Sequence, residues 1–540
     1  MRKWIVSLSV TWIFLFISFA AAQDKPAASR EPFCEGPFKP SWDSLKKQFQ
    51  IPDWYRDAKF GIIAHWGPQC QPEMGDWYAQ RMYQPENDGA KWMFQPGENA
   101  YTFHVKKYGH PSVFGFKDVC NIWKAQKFDP EKLIALYKRA GARYFVAMAN
   151  HHDNFDNWDS KYQPWNSVKV GPKKDLIGLW AKAARGAGLP FGVSVHASRA
   201  WDWYLPSQGS DKDGPKAGVP YDGVLTLADG KGKWWEGLDP AELYGPHGAA
   251  RTKEAWKAYC EKYTNRVLDL VTQYQPDLVY FDDAGLPMGD EYGLTIAAHI
   301  YNTSAKAHHG ANQAVITSKC LSDEQRKALV LDIERGKSDK IDPVPWQTDT
   351  CIGDWHYLRW LYDKKGYKNA QTVVHMLIDI VSKNGNLQLS IPVRGDGSID
   401  DEEIKILEGI AGWMKVNSEC IYGTRPFSVC GEGPSLADKP KGGLGGISDT
   451  AGKFGSQDIR FTTKGKVLYA IVMGWPADGK VTIRTLANGS ANYKGQVANV
   501  TMLGASGELK FQRTDDGLVV TVPTRKPTEY AYSLKITPAE

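Results

Sequence analysis

Where apolar runs of this chain stop, residues that can do chemistry begin. The run 276–281 reads as a buried strand that ends on the doublet Asp282-Asp283 and a Gly-Pro-bounded loop. Residues 143–149 run into Asn150-His151-His152-Asp153, residues 191–195 into His196, residues 60–64 into His65-Trp66-Gly67, and residues 328–333 into Glu334-Arg335-Gly336. Trp77 and Trp355 stand in neighbouring loops. One histidine or one acid at a strand end is commonly a hydrogen-bonded structural group or a helix cap. Four of the 12 histidines on one expected face, with two separate carboxylates, point to a site. Imidazoles bond hydroxyls and indoles stack on the apolar faces of sugars. Two carboxylates on different strands can act as nucleophile and acid/base across a glycosidic bond. Asp283 and Glu334 are the expected pair; successive strand residues face opposite ways, so only one of the doublet can enter a barrel mouth. Asp282 is then expected to anchor the loop by hydrogen bonds.

The elements that must carry these groups alternate. The Asp129-Pro130 start signal opens a helix closed by Gly141, a second helical face covers 176–183, and Trp256, Tyr259, Cys260, Tyr263, Val267 and Leu270 recur at helical spacing until Pro276. Further strand–helix alternation to residue 391 predicts a parallel α/β sheet closed as a (β/α)8-type catalytic barrel, with its site at the carboxyl ends of the strands. Residues 69–127, rich in Pro, Tyr and Trp without clear periodicity, are expected to form a long loop over that site. Beyond about residue 424, short β-rich runs separated by turn signals predict an antiparallel β-sandwich. The expected division is a signal peptide over 1–22, a linker over 23–41, the barrel over 42–424 and the sandwich over 425–540.

Composition narrows the function. Arg2 and Lys3, an apolar run and Ala20-Ala21-Ala22 read as a secretory leader cleaved near Ala22, so an exported chain with no membrane insertion is expected. The formal net charge of the 540 residues is only +5, and the leader holds two of the cations, which argues against nucleic acid as a partner. Aromatics at 12%, with 21 Trp, fit a protein that handles sugars or simply a large aromatic core. The 8 Cys make no zinc pattern; Cys420 with Cys430 is the simplest pair to close a loop, and buried thiols are an equal reading.

Four segments together, Lys59-Phe60-Gly61-Ile62-Ile63-Ala64-His65-Trp66-Gly67, His151-His152-Asp153, Tyr280-Phe281-Asp282-Asp283-Ala284-Gly285 and Ser382-Lys383-Asn384-Gly385-Asn386, resemble the α-L-fucosidase family of retaining glycoside hydrolases, and Trp475-Pro476 extends the likeness into the sandwich. The resemblance implies a barrel with a C-terminal sandwich, no metal and no other cofactor, and release of terminal α-L-fucose from a fucosylated oligosaccharide, polysaccharide or glycoconjugate through a covalent glycosyl-enzyme. It also implies Asp283 as nucleophile, His65, Trp77, His151 and His152 on the fucose hydroxyls, and Trp355 against the methyl group. Trp66, Asp76, His196 and Phe281 complete the expected binding set. Two positions depart from the family: Asp76 stands where Glu is frequent and His196 where many members carry Ser, which would shift specificity toward a related L-sugar such as α-L-galactose. Two other classes compete with this reading. A non-catalytic carbohydrate-binding protein would not need both carboxylates, and a metal-dependent hydrolase is disfavoured because the adjacent His151 and His152 are expected to point in opposite directions on a strand and the chain lacks a strand-borne His-x-His.

Overall fold

The computed structural model describes residues 30–86, 99–442 and 445–539; the expected leader lies outside them. Eight parallel strands close a barrel: β1 Phe60–Ala64, β2 Phe145–Asn150, β3 Phe191–Val195, β4 Leu278–Ala284, β5 Val315–Lys319, β6 Val330–Asp332, β8 Trp346–Cys351 and β9 Gly385–Ser390, while the two-residue β7 Gly336–Lys337 stands outside the ring. Closure runs from Ile62↔Phe145 between β1 and β2 round to Phe60↔Leu387 between β1 and β9. Strands covered on both sides read as continuous apolar runs, and β1, β2 and β3 are buried at every residue. The helices form where caps and periodicity placed them. Asp129 accepts from Lys132 N at the start of Pro130–Arg139, and the 22-residue helix Lys253–Tyr274 ends in a left-handed Gln275 before Pro276.

Irregularities lie at the strand ends that face the site, among them a β2–β3 register shift between Met148 and Asn150. The β4–β5 register shifts between Tyr280 and Ala284, a bulge of the kind that re-aims side chains at barrel rims. Between β6 and β8 the register holds through a single pair, Asp332↔Gln347.

Two expectations change. Residues 69–127 are not simply a loop: they contain the helices Tyr78–Arg81, Ala100–Tyr108 and Phe116–Ile122. The middle one is started by reciprocal capping between Asn99 and Thr102 rather than by an apolar stripe, which is why periodicity missed it. The expected linker is, from Glu31 onward, held against the helices Lys253–Tyr274 and Gly289–Ala307. Glu31 N donates to Asn265 Oδ1 (3.1 Å), Phe38 N to Asn302 Oδ1 (2.9 Å) and Asn302 Nδ2 to Cys34 O (2.9 Å).

The C-terminal strands are β10 Arg425–Glu432, β11 Ile447–Ser448, β12 Ile459–Lys464, β13 Val467–Val472, β14 Lys480–Ile483, β15 Val497–Met502, β16 Phe511–Arg513, β17 Leu518–Thr521 and β18 Tyr532–Pro538. An antiparallel sheet ordered β10-β12-β13-β18-β15 faces a three-stranded sheet β14-β17-β16. Phe461, Ile536, Val481 and Leu518 fill the layer between them. The exception is β11, which pairs with β7. All eight cysteines are free thiols, and Cys420 Sγ lies 3.2 Å from Ser533 Oγ rather than bonded to Cys430. Among the described residues no helix is long and apolar enough to cross a membrane.

Candidate active site

At the carboxyl ends of the strands a cavity of about 370 Å³ opens, lined by His65, Asp76, Trp77, His151, His152, His196, Arg199, Tyr280, Asp282, Lys319, Glu334, Asp349 and Trp355. Eight of the eleven residues expected at the site are here. Asp283, Trp66 and Phe281 are not, and strand alternation explains Asp283 and Phe281.

On β4 the side chains of Tyr280 and Asp282 enter the cavity, so those of Phe281 and Asp283 turn the other way. Phe281 is buried in the hydrophobic layer of the barrel. Asp283 Oδ1 accepts from Ser198 Oγ (2.7 Å), and burial pushes its carboxyl up to about 6. The expectation that Asp283 is the acid in the barrel mouth is corrected: Asp282 takes that place. Past the end of β1 at Ala64, His65 faces the cavity while its neighbour Trp66 packs among Trp123, Phe128 and Trp180 and donates from Nε1 to Arg394 O (2.8 Å). His151 and His152 likewise follow β2 in the loop, where strand alternation does not apply, and both line the cavity. The expectation that they diverge on a strand is therefore corrected as well.

Asp282 is surrounded by donors. Lys319 Nζ, on the neighbouring β5, contacts its Oδ1, while His152 Nε2 (3.3 Å) and His196 Nδ1 (3.2 Å) approach Oδ2. Burial by itself would raise this carboxyl, but the Lys319 charge and the two imidazoles outweigh it and hold Asp282 well below the usual carboxylate range. For His152 burial also opposes charging, and the Asp282 carboxylate reverses the balance, so the ring is shifted upward. Its Nδ1 lies 2.8 Å from His196 O, which suits an imidazolium donating from both nitrogens.

The same Lys319 Nζ contacts Glu334 Oε2. Glu334 sits in the turn after β6, beside Arg335, whose guanidinium lies 5.1 Å from the Trp355 ring. Beside them Asp332 and Asp349 are buried, and Asp332 Oδ1 accepts from Gln347 Nε2 (2.8 Å). Burial and the charge of Asp332 push Asp349 well above the usual carboxylate range.

The opposite wall is made of neutral rings. Burial, with neighbouring imidazoles, keeps His65 and His151 well below the ordinary histidine value. His151 Nδ1 meets Gln69 Nε2 (3.1 Å), and His65 Nδ1 is buried with no hydrogen-bond partner. The loops after β1 and β8 are laced together: Gly75 N donates to Tyr357 O (3.0 Å), Asp76 N to Asp354 Oδ2 (2.8 Å), and His356 Nδ1 lies 2.7 Å from Asp76 Oδ1. This holds Trp77 in the left-handed region, φ 63°, a conformation that a bulky residue keeps only when its surroundings impose it. Glu73, the other acid of that loop, is outside the cavity lining and faces Arg359 (3.6 Å) and Arg394 (3.4 Å). Two trios, His65/His151/His196 and Asp76/His151/His356, each bring potential ligand atoms within 4.8 Å of one another. They are the groups among the described residues that could hold a metal.

Lys319, Arg199, Tyr280, Asp349 and His356 were missed from sequence. Lys319 carried the same signal as the histidines, a polar residue closing an apolar run. Arg199 ends the 3-10 turn Ala197–Arg199 after β3 and carried no signal.

Two carboxylates that reach one cavity from different strands, among groups suited to hydroxyls, meet the requirement of a glycoside hydrolase. The family model described as alpha-L-fucosidase matches residues 26–419, and that of the alpha-L-fucosidase C-terminal domain matches residues 453–537. The tissue alpha-L-fucosidase of Bos taurus is 25% identical over 99% of this chain and 99% of its own length, and that of Rattus norvegicus 26% identical over 93% and 92%. The crystal structure of Thermotoga maritima alpha-fucosidase has a TM-score of 0.66 at 26% identity, covering 93% of this chain and all of that one; its complex with fucose gives 0.65 at 25% over the same shares. The chain belongs to the α-L-fucosidase family of glycoside hydrolases.

Proposed function

We propose that this exported enzyme releases terminal α-L-fucose from glycans with retention of configuration, using Asp282 as nucleophile and Glu334 as acid/base. One observation carries the reading: both carboxylates touch the same Lys319 ammonium. Two hydrogen bonds from one nitrogen span at most about 6 Å, and a retaining pair stands about 5 to 5.5 Å apart. Asp282, held ionised, attacks the anomeric carbon as Glu334 gives its proton to the departing glycosidic oxygen. Glu334 then takes a proton from water, which attacks the same carbon and frees Asp282. His65 and His151 are neutral and suited to hydroxyls, and Trp77 and Trp355 offer apolar faces to the sugar. The leader over residues 1–22 supports export.

Proton NMR of the reaction mixture in its first minutes tests this. Retention gives α-L-fucose first, with the β anomer appearing only by mutarotation; β-L-fucose as the first product would require an inverting arrangement and sink the proposal.

Activity is expected to be metal-independent, because Lys319 already supplies a fixed cation at the carboxylates. Dialysis against a chelator should leave kcat/KM unchanged. Loss of activity restored by one particular divalent ion would assign the histidine trios to a metal instead.

A further inference from the structure

Glu334 is held from two sides, and one of them belongs to the C-terminal region. Residues 333–336 form a tight turn closed by Gly336 N donating to Ile333 O (3.2 Å), with Glu334 and Arg335 at its centre. Arg335 has φ 48°, where such turns favour glycine and an arginine stays only if held. On the barrel side Arg335 N donates to Asp349 O (2.9 Å). On the other side three separate contacts come from the segment 445–451. First, β7 pairs with β11 antiparallel, Gly336↔Ser448 and Lys337↔Ile447. Second, Asp449 N donates to Arg335 O (3.3 Å), while its carboxylate accepts from Thr350 Oγ1 (2.6 Å) and Lys368 Nζ (3.1 Å). Third, the buried Lys337 Nζ donates to Ala451 O (2.9 Å) and pairs with Asp379 (2.8 Å), which also binds Arg460 on β12.

The backbones meet closely enough to require glycine. A Cβ on Gly336 would stand 2.5 Å from Gly445 O, and one on Gly446, at φ 62°, would stand 2.2 Å from Lys337 O.

We propose that the segment 445–451 is a positioning part of the active site, holding the Glu334 turn so that its carboxyl meets the leaving oxygen. The inference rests on Glu334 being the acid/base. Gly446, Asp449 and Lys337 are positioning residues: they act on Glu334 through the turn. The C-terminal region thereby contributes to protonation of the leaving group and not to attack by Asp282, which is fixed by β4, β5 and the histidines.

The test compares kcat/KM of the full chain on two substrates, an aryl α-L-fucoside with an acidic phenol as leaving group and a fucosyl disaccharide whose sugar alkoxide must be protonated. Wild type, Glu334→Gln, Gly446→Val and Asp449→Ala are measured alongside their melting temperatures. Gly446→Val and Asp449→Ala are expected to lose about tenfold or more on the disaccharide and no more than about threefold on the aryl fucoside, following Glu334→Gln in direction. If Gly446→Val does not fold, Asp449→Ala carries the comparison. Equal losses on both substrates would mean a merely structural role and overturn the proposal, as would no loss on either. If Glu334→Gln itself loses equally on both, the acid/base assignment fails and this proposal with it; if only the loop variants do, the assignment stands and the positioning role falls.

Discussion

Asp282→Gly is expected to lower kcat/KM on an aryl α-L-fucoside by about 10⁴-fold or more, the scale seen when a covalent nucleophile is removed. Azide should then restore turnover. It can enter the space left by the carboxylate and attack the anomeric carbon from that face, giving a β-L-fucosyl azide of inverted configuration. Asp283→Asn should stay within about tenfold of wild type, because the amide oxygen can still accept from Ser198 and the side chain lies outside the cavity lining. The reverse pattern, a dead and azide-rescued Asp283→Gly beside an active Asp282→Gly, would return the nucleophile to position 283.

The second large effect is expected at Lys319. This lysine is 5% exposed and contacts two carboxylates, so Lys319→Met leaves Asp282 buried beside imidazoles alone. Breaking a buried pair from one side costs roughly 3 to 5 kcal/mol, and kcat/KM at neutral pH should fall by about 10²-fold, the loss typical of a fixed electrostatic contact at a reacting centre. The pH dependence gives the sign. In the wild type the Lys319 charge is the leading force that overcomes burial and depresses Asp282. Stability from this ionised group is therefore fully present above the unfolded carboxylate value and lost as pH falls through the depressed one. Without Lys319 the carboxyl moves up, and the acid limb of the activity profile moves up with it. Lys319→Gln, which keeps a donor but not the charge, should show the same upward displacement. An unmoved acid limb in both variants would remove Lys319 from the control of Asp282.

Much of this site was legible in the sequence because a parallel barrel gathers whatever ends its strands. The polar residues closing apolar runs at His65, His151, His196 and Glu334 all arrive at one cavity. What the sequence did not carry was the facing of adjacent residues. In a strand buried on both sides the pattern is apolar throughout, so nothing in residues 278–281 tells which member of Asp282-Asp283 looks inward, and the bulge before Ala284 adds a further offset. Nor does the sequence tell that Trp66, just past the end of β1, turns into the aromatic core beside a His65 that faces the cavity. His151 and His152 stand just past the strand, since β2 ends at Asn150, so alternation does not part them. Lys319 was visible but unread: its meaning comes from two carboxylates 37 and 15 positions away, a relation that only the β4–β5–β6 neighbourhood creates. The pairing of β7 with β11 is less legible still, because two-residue strands have no periodicity to display.

The most direct test of the assignment is to trap the covalent intermediate. A 2-deoxy-2-fluoro-α-L-fucosyl donor with a good leaving group should fucosylate the nucleophile slowly, its leaving group departing as the carboxylate bonds the anomeric carbon, and release it more slowly, and peptide mass spectrometry with fragmentation between positions 282 and 283 locates the sugar. The fluorofucosyl group on Asp282, removed on prolonged incubation with a fucosyl acceptor, is the predicted result; the label on Asp283 would contradict it.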